Sequence, residues 1–165
     1  MIDLELPWNN SQIKKNLFYF HKNKRLIQSI FKSANNFNIT IITAEYPAPF
    51  KFTQQFFKLM GISYSIRQYS HTMSVMYYSS VFEKILPKLM NPVKKMISYN
   101  SKKFGSSYQV GLGVIGPGVN ESLILDPENL DKDLKFLNDN AINTAIIFRL
   151  GGLNESYMNV IKKYL

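Results

Sequence analysis

The sequence predicts an α/β fold built on a mostly parallel sheet. Three observations carry that expectation. Short apolar, β-branched segments alternate with segments of helical period five times over. Proline, glycine or asparagine marks nearly every junction between them. No linker, tandem repeat or low-complexity tract interrupts the series. Composition agrees: 165 residues that are 45% hydrophobic and 19% charged form one α/β domain over 1–165 with a core of its own, not a disordered chain.

Each element has a local reason. Residues 2–6 alternate as a strand does and stop at Pro7. Residues 13–37 carry Leu17, Phe20, Leu26, Ile27, Ile30 and Phe31 at helical spacing, broken by Asn35 and Asn36. Residues 38–43 hold Ile39, Ile41 and Ile42, a β-branched strand closed by Pro47 and Pro49. A short helix over 52–60 ends at Gly61, the residue suited to a left-handed cap. A strand at 71–78 precedes a helix at 82–99 that Pro87 and Pro92 should kink or divide. A strand at 108–115 follows. Asp126, Pro127 and Glu128 supply an N-cap, a first-turn proline and a first-turn acid for a helix through 137. Residues 141–150 form the last strand, before a C-terminal helix from 155. Five strands, each followed by a helix, connect by right-handed crossovers. They form either an incomplete TIM barrel or an open doubly wound sheet.

The composition narrows the chemistry. The chain has no cysteine, which removes thiolate catalysis, thiolate zinc sites and disulfides. Its longest apolar runs, 39–44 and 144–148, fall far short of a membrane span, and the N-terminus lacks the layout of a signal peptide. The expectation is a cytoplasmic protein with no membrane contact. The formal charge is +9, and residues 1–110 carry 15 basic and 4 acidic side chains. Almost all the cations are lysine, with 3 arginines, and they are spread along helical stretches. That distribution favours solvated helix faces over a nucleic-acid patch, which needs arginine forks.

The acids are more informative than the bases. In either architecture function gathers at the carboxyl ends of the strands. Three of the four acids before residue 111 lie in or just after strands: Asp3, Glu5 and Glu45. Asp3 and Glu5, two apart on a strand, share a face about 6.6 Å apart. Burying two like charges together raises at least one pKa, as a general acid requires. The alternative is surface decoration. Glu45 either faces substrate or pairs with a lysine. Trp8, Tyr46 and Tyr78 are candidate ligand-stacking surfaces or plain packing. Arg149, in an apolar strand, calls for a carboxylate partner. Gly111, Gly113 and Gly116 match Gly-x-Gly-x-x-Gly, but Pro117 and Gly118 follow where a dinucleotide-binding helix should start. His21 and His71, 50 residues apart, make a poor metal site, and no cofactor or metal is expected.

The segment Ile2-Asp3-Leu4-Glu5 resembles the end of the Asp-x-x-Asp-x-Asp-x-Glu strand of chitinase-like glycoside hydrolases. Residues 39–43 with Pro47 resemble that family's fifth strand, 73–79 its sixth, 110–116 its seventh and 146–150 its eighth. The resemblance implies the last five β-α units of a TIM barrel and hydrolysis of N-acetylglucosamine-type β-glycosidic bonds. Glu5 would protonate the leaving oxygen, Asp3 would orient the substrate acetamido group that attacks in place of an enzyme nucleophile, and Tyr78 would donate to that group. Glu45, Trp8, Tyr46 and Arg149 would line the sugar site. The sequence departs from the pattern at Ser79, where the family has Asp, and at Phe148-Arg149, in place of a Trp floor. Such a chain is a truncated or degenerate relative, or one piece of a split barrel. Its open sheet edges call for self-association or a covering partner. The competing class is a non-enzymatic basic α/β module that binds RNA or a protein.

Overall fold

The computed structural model describes residues 1–4, 10–116 and 124–165, with residues 10–21, 23 and 68 described by their backbone alone. Five strands form one parallel sheet in the order β1-β2-β3-β4-β5. They are β1 (Ile2–Asp3), β2 (Ile42–Glu45), β3 (Thr72–Met76), β4 (Tyr108–Val114) and β5 (Ala145–Phe148). The helices are α1 (Asn10–Asn36), α2 (Lys51–Met60), α3 (Ile66–Tyr69), α4 (Ser79–Ile85), α5 (Met90–Phe104), α6 (Pro127–Asp139) and α7 (Glu155–Ile161). The α/β class and the parallel sheet read from the sequence are those observed. The strand order never reverses among these five strands, whereas a doubly wound sheet has a reversal at its switch point. The order fits a barrel wall or a singly wound open sheet, with β1 and β5 at its edges.

Several boundaries differ from the sequence reading, each for a local reason. The second strand begins at Ile42, not at 38, because the chain is still leaving α1: Ile39 N–H donates to the Ala34 carbonyl at 2.9 Å, and Asn38 adopts a left-handed φ of 55°. The first strand pairs over Ile2–Asp3, extended by Leu4 N–H donating to the Ala44 carbonyl at 3.0 Å; the rest of the 2–6 segment lies outside the described residues. The helix expected over 82–99 is two helices. Pro87 opens a 3₁₀ turn after Leu86 and divides them, whereas Pro92 lies in the first turn of α5, where its missing N–H costs nothing. Gly61 ends α2 at φ 71°, and Asp126 caps α6 by accepting from Asn129 N–H at 2.8 Å. The last strand is shorter than 141–150, since Ala141 is itself left-handed (φ 53°).

Register assigns the faces, because paired residues of parallel strands share a face and successive residues alternate. One face presents Ile2, Thr43, Glu45, Met73, Val75, Tyr108, Val110, Leu112 and Ile147. Against it pack Val93, Met96 and Ile97 of α5 and Leu130, Leu134 and Leu137 of α6, forming the main apolar core. Phe31 and Ala34 of α1 build a second cluster with Leu4, Ile41 and Tyr64. Each fully buried aliphatic side chain here contributes about 1.5–3 kcal/mol by leaving water. The opposite face presents Asp3, Ile42, Ala44, Thr72, Ser74, Met76, Gln109, Gly111 and Ile146, with small residues at Ala44, Ser74 and Gly111.

Candidate functional site

The small-residue face is roofed near the carboxyl ends of its strands by large side chains from β5 and from the segment after β3. A β-carbon on Gly111 would lie 3.0 Å from the Phe148 ring and 3.5 Å from Ser74 Oγ, so Phe148 lies directly over these two residues. Tyr78, two residues beyond β3, meets Phe148 edge to face with ring centroids 5.9 Å apart, and its hydroxyl donates to Met76 Sδ at 3.7 Å. Asp3 shares this face, at the level of Ala44 and Ser74. Asp3 is exposed, and the limited desolvation it undergoes raises its carboxyl pKa from the ordinary value. Glu5 and Trp8, the other candidates from the first ten residues, lie outside the described residues. Arg149 follows Phe148 in the left-handed region (φ 74°) with its side chain exposed. It therefore avoids the desolvation cost expected of a charge in an apolar strand.

Glu45 is placed otherwise. It ends β2 on the helix-packed face, opposite to Asp3, and is 1% exposed. Its Oε1 accepts from Thr43 Oγ1 at 2.8 Å and from Tyr64 N–H at 3.4 Å, and His71 Nε2 stands 3.7 Å away. Its carboxyl thus accepts from a hydroxyl and an amide with the His71 imidazole nearby, and among the described residues no lysine pairs with it. Both ring nitrogens of His71 are buried without a hydrogen-bond partner among the described residues, the ring packing 4.9 Å from Phe31. Desolvation, with Tyr69 and Glu45 nearby, pushes the Tyr64 hydroxyl up to about 12. Tyr46 joins Glu45 in lining a cavity between α2 and α5. The sequence-derived residues therefore divide between two faces of the sheet: Asp3, Tyr78 and Phe148 on one, Glu45 and Tyr46 on the other.

No family model, curated protein or solved structure matches the chain.

A third polar cluster escaped the sequence reading. Asp133 of α6, 3% exposed, accepts a 2.5 Å hydrogen bond from Ser79 Oγ at the start of α4. Burial pushes its carboxyl up to about 6, against the opposing pull of that hydrogen bond and of Lys94. Tyr77, whose hydroxyl has no hydrogen-bond partner among the described residues, is raised above its ordinary range by burial and by the Asp133 charge. The signal was present in the periodicity: Leu130, Leu134 and Leu137 define the buried stripe of α6, and position 133 falls inside it. The three glycines of the Gly-x-Gly-x-x-Gly match serve close packing, and α6 starts at Pro127, outside the match. Among the described residues no group of three or more His, Asp or Glu side chains is placed to hold a metal, and no helix is long and apolar enough to cross a membrane.

Proposed function

We propose that the protein is a glycoside-hydrolase-like protein whose sugar site lies at the carboxyl edge of the small-residue sheet face. One observation carries the reading: Asp3, Tyr78 and Phe148, contributed by three elements distant in sequence, occupy the same face. A partly desolvated carboxyl suits the helper role that the Asp-x-Glu pattern assigns to Asp3, since its raised affinity for a proton lets it share one with the acetamido group of a bound sugar. The edge-to-face pair of Tyr78 and Phe148 offers an aromatic floor where the resembled family has a Trp. Glu5, two residues after Asp3 in the sequence, is the proposed proton donor. Glu45 and Tyr46 take no part in this site. Its substrate class is N-acetylglucosamine-type β-glycosides, and a cytoplasmic location belongs to the same proposal.

The test uses the purified chain with a fluorogenic N-acetylglucosaminide and with chitobiose. Removing a general acid costs about 10²–10⁴ in rate, so Glu5→Gln should lower kcat within that range while chitobiose still binds. Tyr78→Phe should raise KM more than it lowers kcat. Equal rates for the parent chain and Glu5→Gln would reject the proton-donor role. Chitobiose affinity unchanged in Phe148→Ala would reject the site itself.

A further inference from the structure

The cavity on the helix-packed face has a chemistry of its own. It measures about 160 Å³ and lies among β2, β3, β4, α2 and α5. That is close to the roughly 150 Å³ of a known engineered cavity that holds a six-carbon ring. This one is not apolar. Its wall includes the Glu45 carboxyl, the amides of Gln54 and Asn100, and two lysines, Lys58 and Lys103. The lysines come from the last turns of α2 and α5. Lys103 Nζ is held over the rings of Tyr99 and Phe104, at 5.4 and 5.2 Å, both of which also line the space. The three contacts that secure Glu45 within its own fold all fall on Oε1. The carboxyl is nevertheless part of the cavity wall.

We propose that this cavity is a binding site for a small α-amino dicarboxylate, an aspartate- or glutamate-like molecule. Its ammonium group is received by Glu45 Oε2 and its two carboxylates by Lys58 and Lys103. Charge complementarity selects the class. A wall carrying one anion and two cations matches a ligand with one cation and two anions, whereas a simple amine or dicarboxylate leaves part of the wall unanswered. Burial sharpens the choice, because a carboxylate enclosed at 1% exposure gains most from a cation that enters its side of the cavity. The amides of Gln54 and Asn100 supply donors and acceptors between the charged ends. The site lies across the sheet from the proposed sugar site and is independent of that reading.

Titration calorimetry on the full chain decides the matter, with L-aspartate and L-glutamate as probes. N-acetyl-L-aspartate, which lacks the ammonium, succinate and L-alanine serve as controls. Saturable binding of aspartate or glutamate is expected, weakened about ten-fold or more by N-acetylation and by Glu45→Gln. The double variant Lys58→Gln/Lys103→Gln, which removes both carboxylate partners, should lose a similar factor for aspartate and glutamate. If Glu45→Gln does not fold, the N-acetyl control and the lysine variant, whose changes lie at helix ends, carry the decision. No saturation by about 10 mM, equal binding of the N-acetylated form, or an unchanged affinity in the double lysine variant would each overturn the proposal.

Discussion

At the scale of single residues, Asp133 shows which of two opposing effects prevails. Its short hydrogen bond from Ser79 and the charge of Lys94 favour the ionised form, yet burial outweighs both and the carboxyl titrates near 6 instead of 3.8. The folded state therefore holds this proton more tightly than the unfolded chain. Its contribution to stability is complete below the unfolded value and is lost as pH rises through about 6, a change of about 2–3 kcal/mol. An Asp133→Asn substitution keeps an acceptor for Ser79 and removes the buried charge. It should leave the protein more stable than the parent above about pH 7 and flatten the stability profile between about pH 4 and 6. Urea midpoints across that range read the difference, and a variant that tracks the parent at every pH would disprove the assignment. Asp133 was legible in principle, since an acid inside an apolar stripe is a mismatch of pattern. The separation of Asp3 from Glu45 was not, because alternation along one strand fixes sides only within that strand. The register between β1 and β2 was needed to see that the two acids face apart.

At the scale of elements, the segments that follow β4 and β5 touch backbone to backbone. Gly116 and Gly152 leave so little room that a β-carbon on Gly152 would overlap the Ile115 carbonyl and the Gly116 α-carbon, and one on Gly116 would stand 2.8 Å from Gly152. Ile115 N–H donates to the Phe148 carbonyl at 3.2 Å just below this contact. A Gly152→Ala chain must separate the two segments at a cost of about 1–3 kcal/mol or more, and the Phe148 ring, one step below, should move with them. Thermal melting should show the loss. Near-ultraviolet circular dichroism, sensitive to the Tyr78–Phe148 pair, should change at temperatures where the fold is intact; an unaltered melt would contradict the close contact. Elements as such were readable from the sequence wherever a residue enforces its own geometry: Gly61, Pro87 and Asp126 each act where expected. Boundaries failed where a tertiary contact decides, as in the left-handed exit of α1 at Asn38, which delayed β2 by four residues relative to the expected start at 38. Helix α3, one turn long, has no periodicity to reveal it.

At the scale of the whole molecule, an ordered row of five parallel strands has two edges. Beside β1 the surface is apolar: Phe37 is 76% exposed and Ile39 60%, next to Met1 and Ile30. Apolar residues beside an unpaired strand favour strand addition and aggregation. A Phe37→Ser/Ile39→Thr chain should therefore associate less as concentration rises, seen as a lower apparent mass in sedimentation, with its melting temperature little changed. An apparent mass identical to the parent's at every concentration would clear this edge of any such role. That a parallel five-stranded sheet was present could be read from strict alternation alone; its order could not, because a doubly wound sheet shows the same alternation. Which edge would be left greasy could not, because Phe37 and Ile39 carry the apolar signature of buried positions.

The narrow side of the sheet couples distant parts of the gene. Ala44 and Ser74 sit in register, and Gly111 lies next to Ser74 beneath the Phe148 ring. Any gain in bulk at one of these stations must be met by a loss at another, about 30 to 40 codons away. Divergence of this protein should therefore proceed through paired exchanges of size between those stations, a tempo of change set by the cross-section of the sheet and not by proximity along the message.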